Sequence, residues 1–257
     1  MSINSSNFRK CIVENNIYTF ESLKKSALFE DIALGRKGGV LVSSENNIIP
    51  IVRTTTKYIK PAKKFSKIHH ELIANIKTAA CIPKMEFNNA LIEIYDHQYR
   101  KMGYHSDQNT DLEKDSYICL FSCYNNPNTT NLRKLKIIKK ESCVNYDEIT
   151  LNNNSVIIFS LDTNSRFQHK IVLDIPCQAV NTADEWLGIT FRLSKTFIKF
   201  INEMPYFYES NELLKIIDDK QKKDYYKYRS IENKEINYVY PCIDYTISQS
   251  DLLNPLD

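Results

Sequence analysis

The central part of this 257-residue chain alternates short apolar runs with clusters of Asn, Asp and Pro. Seven runs are rich in β-branched and aromatic residues and predict strands over Leu91–Tyr95, Gly103–Asp107, Tyr117–Tyr124, Leu135–Lys139, Ser155–Leu161, Phe167–Leu173 and Leu187–Leu193. No helical pattern separates these runs. Short strands at regular spacing without intervening helices are typical of an antiparallel sandwich or barrel. The sequence therefore predicts a mainly β fold.

The regions on either side of this block carry weaker patterns. An apolar stripe within residues 66–77 predicts a helix, and the apolar residues that open 212–228 predict a second one. Residues 40–42 and 48–52 are apolar runs separated by a Ser/Glu/Asn turn, which predicts a β-hairpin.

These patterns divide the chain into three parts of one compact domain. Residues 1–89 form an N-terminal extension whose hairpin and helix pack on the core, 90–200 form the β core, and 201–257 form a C-terminal helix and tail.

Composition and charge exclude several classes of protein. The chain has 34 Lys and Arg against 31 Asp and Glu, and this net charge of +3 is mild for a dedicated nucleic-acid binder. No apolar stretch approaches the ~20 residues of a membrane span, and the polar first residues lack a secretory signal. We expect an intracellular protein, cytoplasmic or nuclear, with no membrane partner. Seven scattered cysteines without a CxxC motif disfavour a disulfide framework or a zinc cage, and we expect buried thiols.

One group of residues suggests metal chemistry. His105-Ser106-Asp107 is an H-x-D pattern on a predicted strand, where residues two apart project from the same face. His169 lies in another predicted strand further along the chain. Two histidines and one carboxylate leave coordination positions open, as in the facial triad of non-haem Fe(II) oxygenases. A chance pattern, with two ordinary strand histidines and a turn carboxylate, is the alternative.

The predicted strand over 186–192 adds a cation near this group. Alternation along the strand places Trp186, Gly188, Thr190 and Arg192 on one face. A guanidinium group binds carboxylates through two parallel hydrogen bonds, so Arg192 beside a metal implies an anionic co-substrate.

Three fragments together resemble a known enzyme family. They are Gly103-Tyr-His-Ser-Asp107, Asn164-Ser-Arg-Phe-Gln-His169-Lys-Ile and Ile189-Thr-Phe-Arg192, and their order is similar to that of the AlkB-like Fe(II)- and 2-oxoglutarate-dependent dioxygenases. The resemblance covers residues 90 to about 195, and residues 49–58 loosely resemble the segment that precedes the core in that family.

The resemblance implies a fold, a reaction and a set of site residues. The fold would be a double-stranded β-helix, or jelly roll, with flanking helices. His105, Asp107 and His169 would be the catalytic metal ligands for Fe(II), and Arg192, Tyr95 and Thr190 would contact 2-oxoglutarate. The enzyme would use O2 to oxidise a substrate C–H bond while 2-oxoglutarate is decarboxylated to succinate, and on an alkylated base of single-stranded nucleic acid this reaction would cause demethylation.

The chain departs from the family pattern in its co-substrate residues. Trp186 occupies the position of a second arginine, and Glu93 occupies that of an asparagine upstream of the H-x-D motif. Arg53, Arg166 and Lys170 are candidates to replace the missing cation.

Two other functions stay open at this point. A protein side-chain hydroxylase or demethylase of the same class is favoured by the missing arginine and the mild net charge. A non-catalytic jelly-roll binding module would leave the three candidate ligands apart or facing a dry core. An enzyme acting on bases should instead have a basic, aromatic rim around its metal site. Lys60, Lys63, Lys64 and Lys67 could supply a basic lid or form an ordinary solvated segment.

Overall fold

The computed structural model describes residues 4–5, 7–14, 18–142, 145–176 and 181–257 as a mainly β fold. The strands, in chain order, are Asn4–Ser5 (β1), Phe8–Ile12 (β2), Glu30–Ala33 (β3), Arg36–Val42 (β4), Ile48–Pro50 (β5), Lys63–Lys64 (β6), Asn89–Tyr95 (β7), Tyr117–Tyr124 (β8), Lys134–Lys139 (β9), Asn145–Thr150 (β10), Ser155–Ser160 (β11), Phe167–Val172 (β12), Trp186–Arg192 (β13), Phe197–Ile201 (β14), Met204–Phe207 (β15), Lys215–Ile216 (β16) and Tyr245–Thr246 (β17). The helices are Phe20–Lys25 (α1), Lys67–Ala80 (α2), Leu161–Arg166 (α3) and Asp219–Glu232 (α4), followed by a 3-10 helix over Gln249–Leu252.

A large sheet and a small sheet enclose the centre of the molecule. The large sheet has the order β1-β2-β11-β8-β13-β7-β4-β3, with β6 paired to β4, and the small sheet has the order β10-β9-β12. Strand β8 shows how both faces of the large sheet are buried. Its Ile118 and Leu120 pack in the apolar cluster shared with the small sheet, while Cys119 and Phe121 pack in the cluster shared with α1 and α2. This two-layer arrangement confirms the expected mainly β fold with a jelly-roll core.

Six of the seven expected strands are present within one or two residues of their expected ends. The expected strand over 103–107 is wrong, because this segment makes only a single antiparallel bridge, between His105 and His169. The backbone N–H of each of these residues donates to the carbonyl of the other, at 3.0 and 2.7 Å.

The expected hairpin between residues 40–42 and 48–52 is wrong. Strand β4 pairs with β7 along one edge, and β3 and β6 occupy its other edge. Because both edges of β4 are taken, β5 pairs instead with β14 in a separate sheet. Strands β2, β3, β4 and β6 therefore bring the segment expected as an N-terminal extension into the same sheet as the core strands.

Both expected helices exist, but the second begins later than expected. Helix α4 starts at Asp219, since the side chains of Asp218 and Gln221 form a capping box at this point. The residues before it are extended, and Lys215–Ile216 pairs with Tyr245–Thr246. No helix in the described parts of the chain is long and apolar enough to cross a membrane.

The expected burial of the cysteines holds only for some of them. Cys119 and Cys123 are buried, Cys11 is half-buried, and Cys81 and Cys242 are exposed. Cys143 and Cys177 lie outside the described residues.

The carboxyl group of Asp251, in the 3-10 helix near the C-terminal end, predicts that the stability of the fold depends on pH. Burial raises the pKa of Asp251 to about 7, and the Thr246 hydroxyl donates to its carboxylate. Because this pKa lies above the unfolded value of 3.8, the free energy of unfolding falls as the pH rises from about 4 to about 7.

Asp251→Asn keeps an acceptor for Thr246 without the charge. We expect this variant to melt at a higher temperature than wild type at pH 8 and at a similar one at pH 4. Equal melting curves at pH 8 would contradict the expectation.

Candidate metal site and co-substrate cavity

The three predicted ligands meet at one point. His105 and Asp107 follow β7, His169 lies on β12, and one ligand atom from each lies within 4.8 Å of the others. His169 Nε2 is 3.5 Å from Asp107 Oδ1. The single bridge between His105 and His169 creates this convergence, because it aligns the H-x-D segment with the strand that carries the second histidine.

The His105 imidazole is held in a form suited to binding a metal. Its Nδ1 lies 3.0 Å from the Gly103 carbonyl, which can only accept, so this nitrogen carries the proton and Nε2 keeps its lone pair. Burial, together with the neighbouring His169, lowers the pKa of His105 to about 3, which keeps the ring neutral. The His169 ring packs edge to face with the Phe159 ring, with the centroids 5.5 Å apart.

Asp107 is fixed through both its backbone and its side chain. Its N–H donates to Asn164 Oδ1 at 2.7 Å, and Asn164 Nδ2 donates to its carbonyl at 2.8 Å. Arg192 Nε and Nη2 both donate to Oδ2, at 2.8 and 2.6 Å. Burial disfavours the charged form of Asp107, but Arg192 and the histidines outweigh it and hold the pKa of the carboxyl well below its usual range. The carboxylate is therefore ionised and its Oδ1 faces His169.

Helix α4 and the residue that follows it hydrogen-bond to residues 106, 108 and 109, which lie between and after the candidate ligands His105 and Asp107. Asn233 Oδ1 accepts from the Ser106 N–H at 3.0 Å, and Arg229 donates to the Ser106 carbonyl. Glu232 Oε1 accepts from the Asn109 N–H at 2.9 Å, and Tyr225 OH accepts from Gln108 Nε2 at 2.8 Å.

Sequence reasoning missed this role of α4. Tyr225, Arg229, Glu232 and Asn233 lie at i, i+4, i+7 and i+8, so they share one face of the helix. The spacing could have indicated a polar helix face that binds another segment. It could not identify that segment, because the hydrogen-bond partners lie more than 100 positions earlier in the chain.

A cavity of about 420 Å³ opens beside the three ligands. Arg192, Thr190 and Tyr95, the residues that the family resemblance assigns to 2-oxoglutarate, all line it, and the Tyr95 hydroxyl donates to Glu93 Oε2 at 2.6 Å. Apolar walls come from both sheets and consist of Leu91, Leu120, Leu135, Phe159 and Ile171. The convergence of the three ligands on this cavity contradicts the binding-module alternative.

The cations expected to replace the missing arginine lie elsewhere. Arg53 is buried against Asp111, Arg166 pairs with Asp162, and the Lys170 amine sits 4.1 Å from the centroid of the Tyr104 ring. None of the three is among the described residues that line the cavity. Arg36 of β4, which the sequence did not suggest, is among them, and its guanidinium pairs with Glu93.

The lysine segment considered as a lid lies away from the cavity lining. The Lys60 amine donates to the Phe29 carbonyl, Lys64 pairs with Asp257, and Lys67 pairs with Glu71. Lys63 and Lys64 form β6 at an edge of the large sheet.

The residues present fit a divalent iron and an anionic co-substrate. Two imidazoles and one carboxylate are the donor set of an open non-haem iron site. Arg192 Nη1 is buried and has no hydrogen-bond partner among the described residues, although the other two guanidinium nitrogens bind Asp107. An oxygen of a bound carboxylate would satisfy this donor.

The contacts from α4 predict an effect on metal affinity at a distance. Asn233→Ala removes the acceptor for the Ser106 N–H while leaving every candidate ligand in place. We expect about tenfold weaker Mn(II) binding by anaerobic calorimetry, as for other residues that orient metal ligands. Asn233→Asp keeps the acceptor and should retain most of the affinity, and the exposed Ser230→Ala is the matched control on the same helix. Wild-type affinity in folded Asn233→Ala would show that α4 does not support the site.

Comparison with known proteins agrees with this geometry. The model of the 2OG-Fe(II) oxygenase superfamily matches residues 50–192, more than half of the chain. The solved structure of OsALKBH1 superposes with a TM-score of 0.51 at 13% identity, covering 73% of this chain and 96% of that one, and so shows a shared fold. No curated protein matches the sequence. The chain therefore belongs to the 2OG-Fe(II) oxygenase superfamily: it is a 2-oxoglutarate-dependent dioxygenase with an AlkB-like fold, and it uses Fe(II), 2-oxoglutarate and O2.

Proposed function

We propose that this dioxygenase demethylates alkylated bases of single-stranded nucleic acid, with His105, Asp107 and His169 as its iron ligands. The observation that carries the proposal is the edge of the cavity. Tyr104 lines the cavity, and the Lys170 amine lies over its ring. Single-stranded nucleic acids are bound by this combination, since a base stacks on an aromatic ring while a cation contacts phosphate.

The position of this edge supports the entry of a base. Lys101 and Gly103 are exposed, whereas Tyr99, Met102 and Tyr104 are half-buried and line the cavity. An unpaired base could therefore approach the ligands past a tyrosine ring without crossing the apolar walls. The intracellular location expected from the sequence, cytoplasmic or nuclear, remains a prediction and is one where such substrates occur.

The residues of the chain have separate tasks in this reaction. With Fe(II) and 2-oxoglutarate bound, the site couples decarboxylation of 2-oxoglutarate to succinate and CO2 with hydroxylation of an N-methyl group, which is then lost as formaldehyde. His105, Asp107 and His169 would hold the metal, and a donor set of two histidines and one carboxylate keeps coordination positions open for the two co-substrates. Arg192 fixes the Asp107 carboxylate and offers Nη1 to an anion. The apolar walls limit access of water to the oxidising centre.

Hydroxylation or demethylation of a protein side chain is the second candidate. The observation that favours it is the balance of charge in the cavity. Arg36 and Arg229, two of the arginines that line it, are each paired with a carboxylate, from Glu93 and Glu232. A near-neutral lining gives less attraction for a polyanion than the free cations of a dedicated phosphate-binding surface.

Product analysis separates the two candidates. Wild-type protein reconstituted anaerobically with Fe(II) should, on addition of O2 and 2-oxoglutarate, form formaldehyde with N-methylated single-stranded oligonucleotides and none with unmethylated ones. The succinate formed above the oligonucleotide-free rate should equal the formaldehyde. His169→Ala should form neither product. This variant is preferable to Asp107→Ala, which would leave Arg192 buried without its partner. Formaldehyde or a hydroxylated product from peptides, and none from any methylated oligonucleotide, would refute the nucleic-acid proposal.

A pair of lysine variants tests the cavity edge itself. Lys170→Ala should weaken oligonucleotide binding severalfold while leaving succinate formation in the absence of oligonucleotide unchanged, because Lys170 lies outside the cavity lining. Lys139→Ala is the matched control, since Lys139 also lies on the small sheet with its amine over a tyrosine ring, that of Tyr146 at 5.4 Å. Equal binding by wild type and both variants in fluorescence anisotropy would argue against this edge as the nucleic-acid contact.

A further inference from the structure

The large sheet places Arg36 at the same level as Trp186. In the register of three adjacent strands, Trp186 of β13 pairs with Tyr95 of β7, and Tyr95 pairs with Arg36 of β4. The rings of Tyr95 and Trp186 pack against each other with their centroids 4.8 Å apart and their planes tilted by 39°. The three residues thus form a row across the sheet, and Tyr95 and Arg36 line the cavity.

Trp186 leaves no room for a longer side chain at position 188, two residues further along its own strand. Its indole folds back over Gly188, so that a Cβ at position 188 would lie 2.1 Å from the ring. The indole therefore covers the sheet where a longer side chain at 188 would otherwise stand, and it offers only an uncharged N–H.

Arg36 is held by one edge of its guanidinium group. Its Nε and Nη2 donate to Glu93 Oε1, while the other oxygen of Glu93 accepts from Tyr95 OH. Along the other edge, Nη1 is 3.5 Å from Tyr99 OH and Nη2 is 3.4 Å from Thr56 Oγ1. These contacts are long for a guanidinium group, whose charged hydrogen bonds are normally 2.7–2.9 Å. Since Tyr99 and Thr56 both line the cavity, the weakly bonded edge faces it.

The co-substrate requires a second cation in this cavity. 2-Oxoglutarate carries a carboxylate beside its keto group, which belongs at the metal, and another at the far end of the molecule. The described lining of the cavity contains three arginines, Arg36, Arg192 and Arg229, and no lysine. Arg192 is bound to Asp107 at the metal end, and Arg229 is bound to Glu232 and the Ser106 carbonyl.

We propose that Arg36 binds the distal carboxylate of 2-oxoglutarate through its Nη1/Nη2 edge, with Glu93 as the residue that positions the guanidinium. The carboxylate replaces the long contacts to Tyr99 and Thr56 with two short parallel ones. The proposal rests on the co-substrate that membership of the superfamily supplies, and it is independent of the identity of the substrate that is oxidised.

The test compares two ligands that differ only at the distal end. 2-Oxopentanoate has the same chain length and keto-acid group as 2-oxoglutarate but ends in a methyl group. Calorimetric titration of each into the Mn(II)-loaded protein gives binding constants without turnover. Wild type should prefer 2-oxoglutarate. Arg36→Met should weaken 2-oxoglutarate at least about tenfold, the loss of a charge-assisted pair, and change 2-oxopentanoate by no more than about twofold.

Matched variants separate this role from a general effect on folding. Arg36→Met/Glu93→Gln removes both members of the ion pair, so that no unpaired charge stays in the wall, and it should show the same loss of discrimination with a cooperative melting curve. Arg166→Met removes an exposed arginine from an ion pair outside the cavity lining and should bind both ligands like wild type.

The outcomes distinguish the proposal from its premise. Failure of wild type to bind 2-oxoglutarate would contradict the assigned co-substrate and remove the basis of the proposal. Two other outcomes would overturn the role of Arg36 alone, provided that wild type binds 2-oxoglutarate tightly. In the first, both Arg36 variants still prefer 2-oxoglutarate to 2-oxopentanoate as strongly as wild type does. In the second, the variants bind both ligands more weakly by the same factor.

Discussion

The buried ion pair between Asp107 and Arg192 is the contact on which the arrangement of the site depends. Asp107 comes from an irregular segment, whereas Arg192 ends β13, a strand paired on both sides within the large sheet. Both side chains are about 93% buried, and an isolated charge at that depth would be costly. The pair therefore attaches the H-x-D segment to a strand in the middle of the large sheet. It also occupies Oδ2, which leaves Oδ1 as the oxygen that faces His169.

Two arginines that line the cavity share one electrostatic arrangement. Arg192 and Arg36 are each fixed by a carboxylate, at Asp107 and Glu93, and each keeps a guanidinium nitrogen with weak hydrogen bonds or none. A cation held in this way needs little reorganisation when an anion arrives, because its orientation is already set. The same pairing keeps the lining close to neutral, in line with a chain whose net charge is only +3.

The sequence predicted much of the local structure, and the convergence of three side chains, for identifiable reasons. The core strands are compact apolar runs bounded by Asn-rich turns, so β8 and β13 could be located within a residue or two. His105 and Asp107 converge with His169 even though 103–107 is not a strand, because the extended bridge at His105 keeps the alternation of side chains that a strand would have.

The missed features all depend on pairing between distant segments. No local pattern reports that β6 occupies the edge of β4 that a hairpin would need, or that β4 brings Arg36 into register with Tyr95. The support from α4 was missed for the same reason, since its polar face is matched by backbone groups and the Gln108 side chain of a segment more than 100 positions earlier in the chain. Long-range register and hydrogen bonds to the backbone leave little trace in one sequence.

The contacts from α4 impose an order of events on the biosynthesis of the enzyme. The partners of Ser106 and Asn109 lie 127 and 123 positions later in the chain. At ~5–20 residues per second of synthesis, the ligand segment waits on the order of ten seconds before α4 leaves the ribosome. Until then the Ser106 and Asn109 backbone groups lack the partners that hold them in the finished fold. We therefore expect iron uptake to follow synthesis of α4, and a nascent chain halted before residue 225 to carry all three candidate ligands without a finished site.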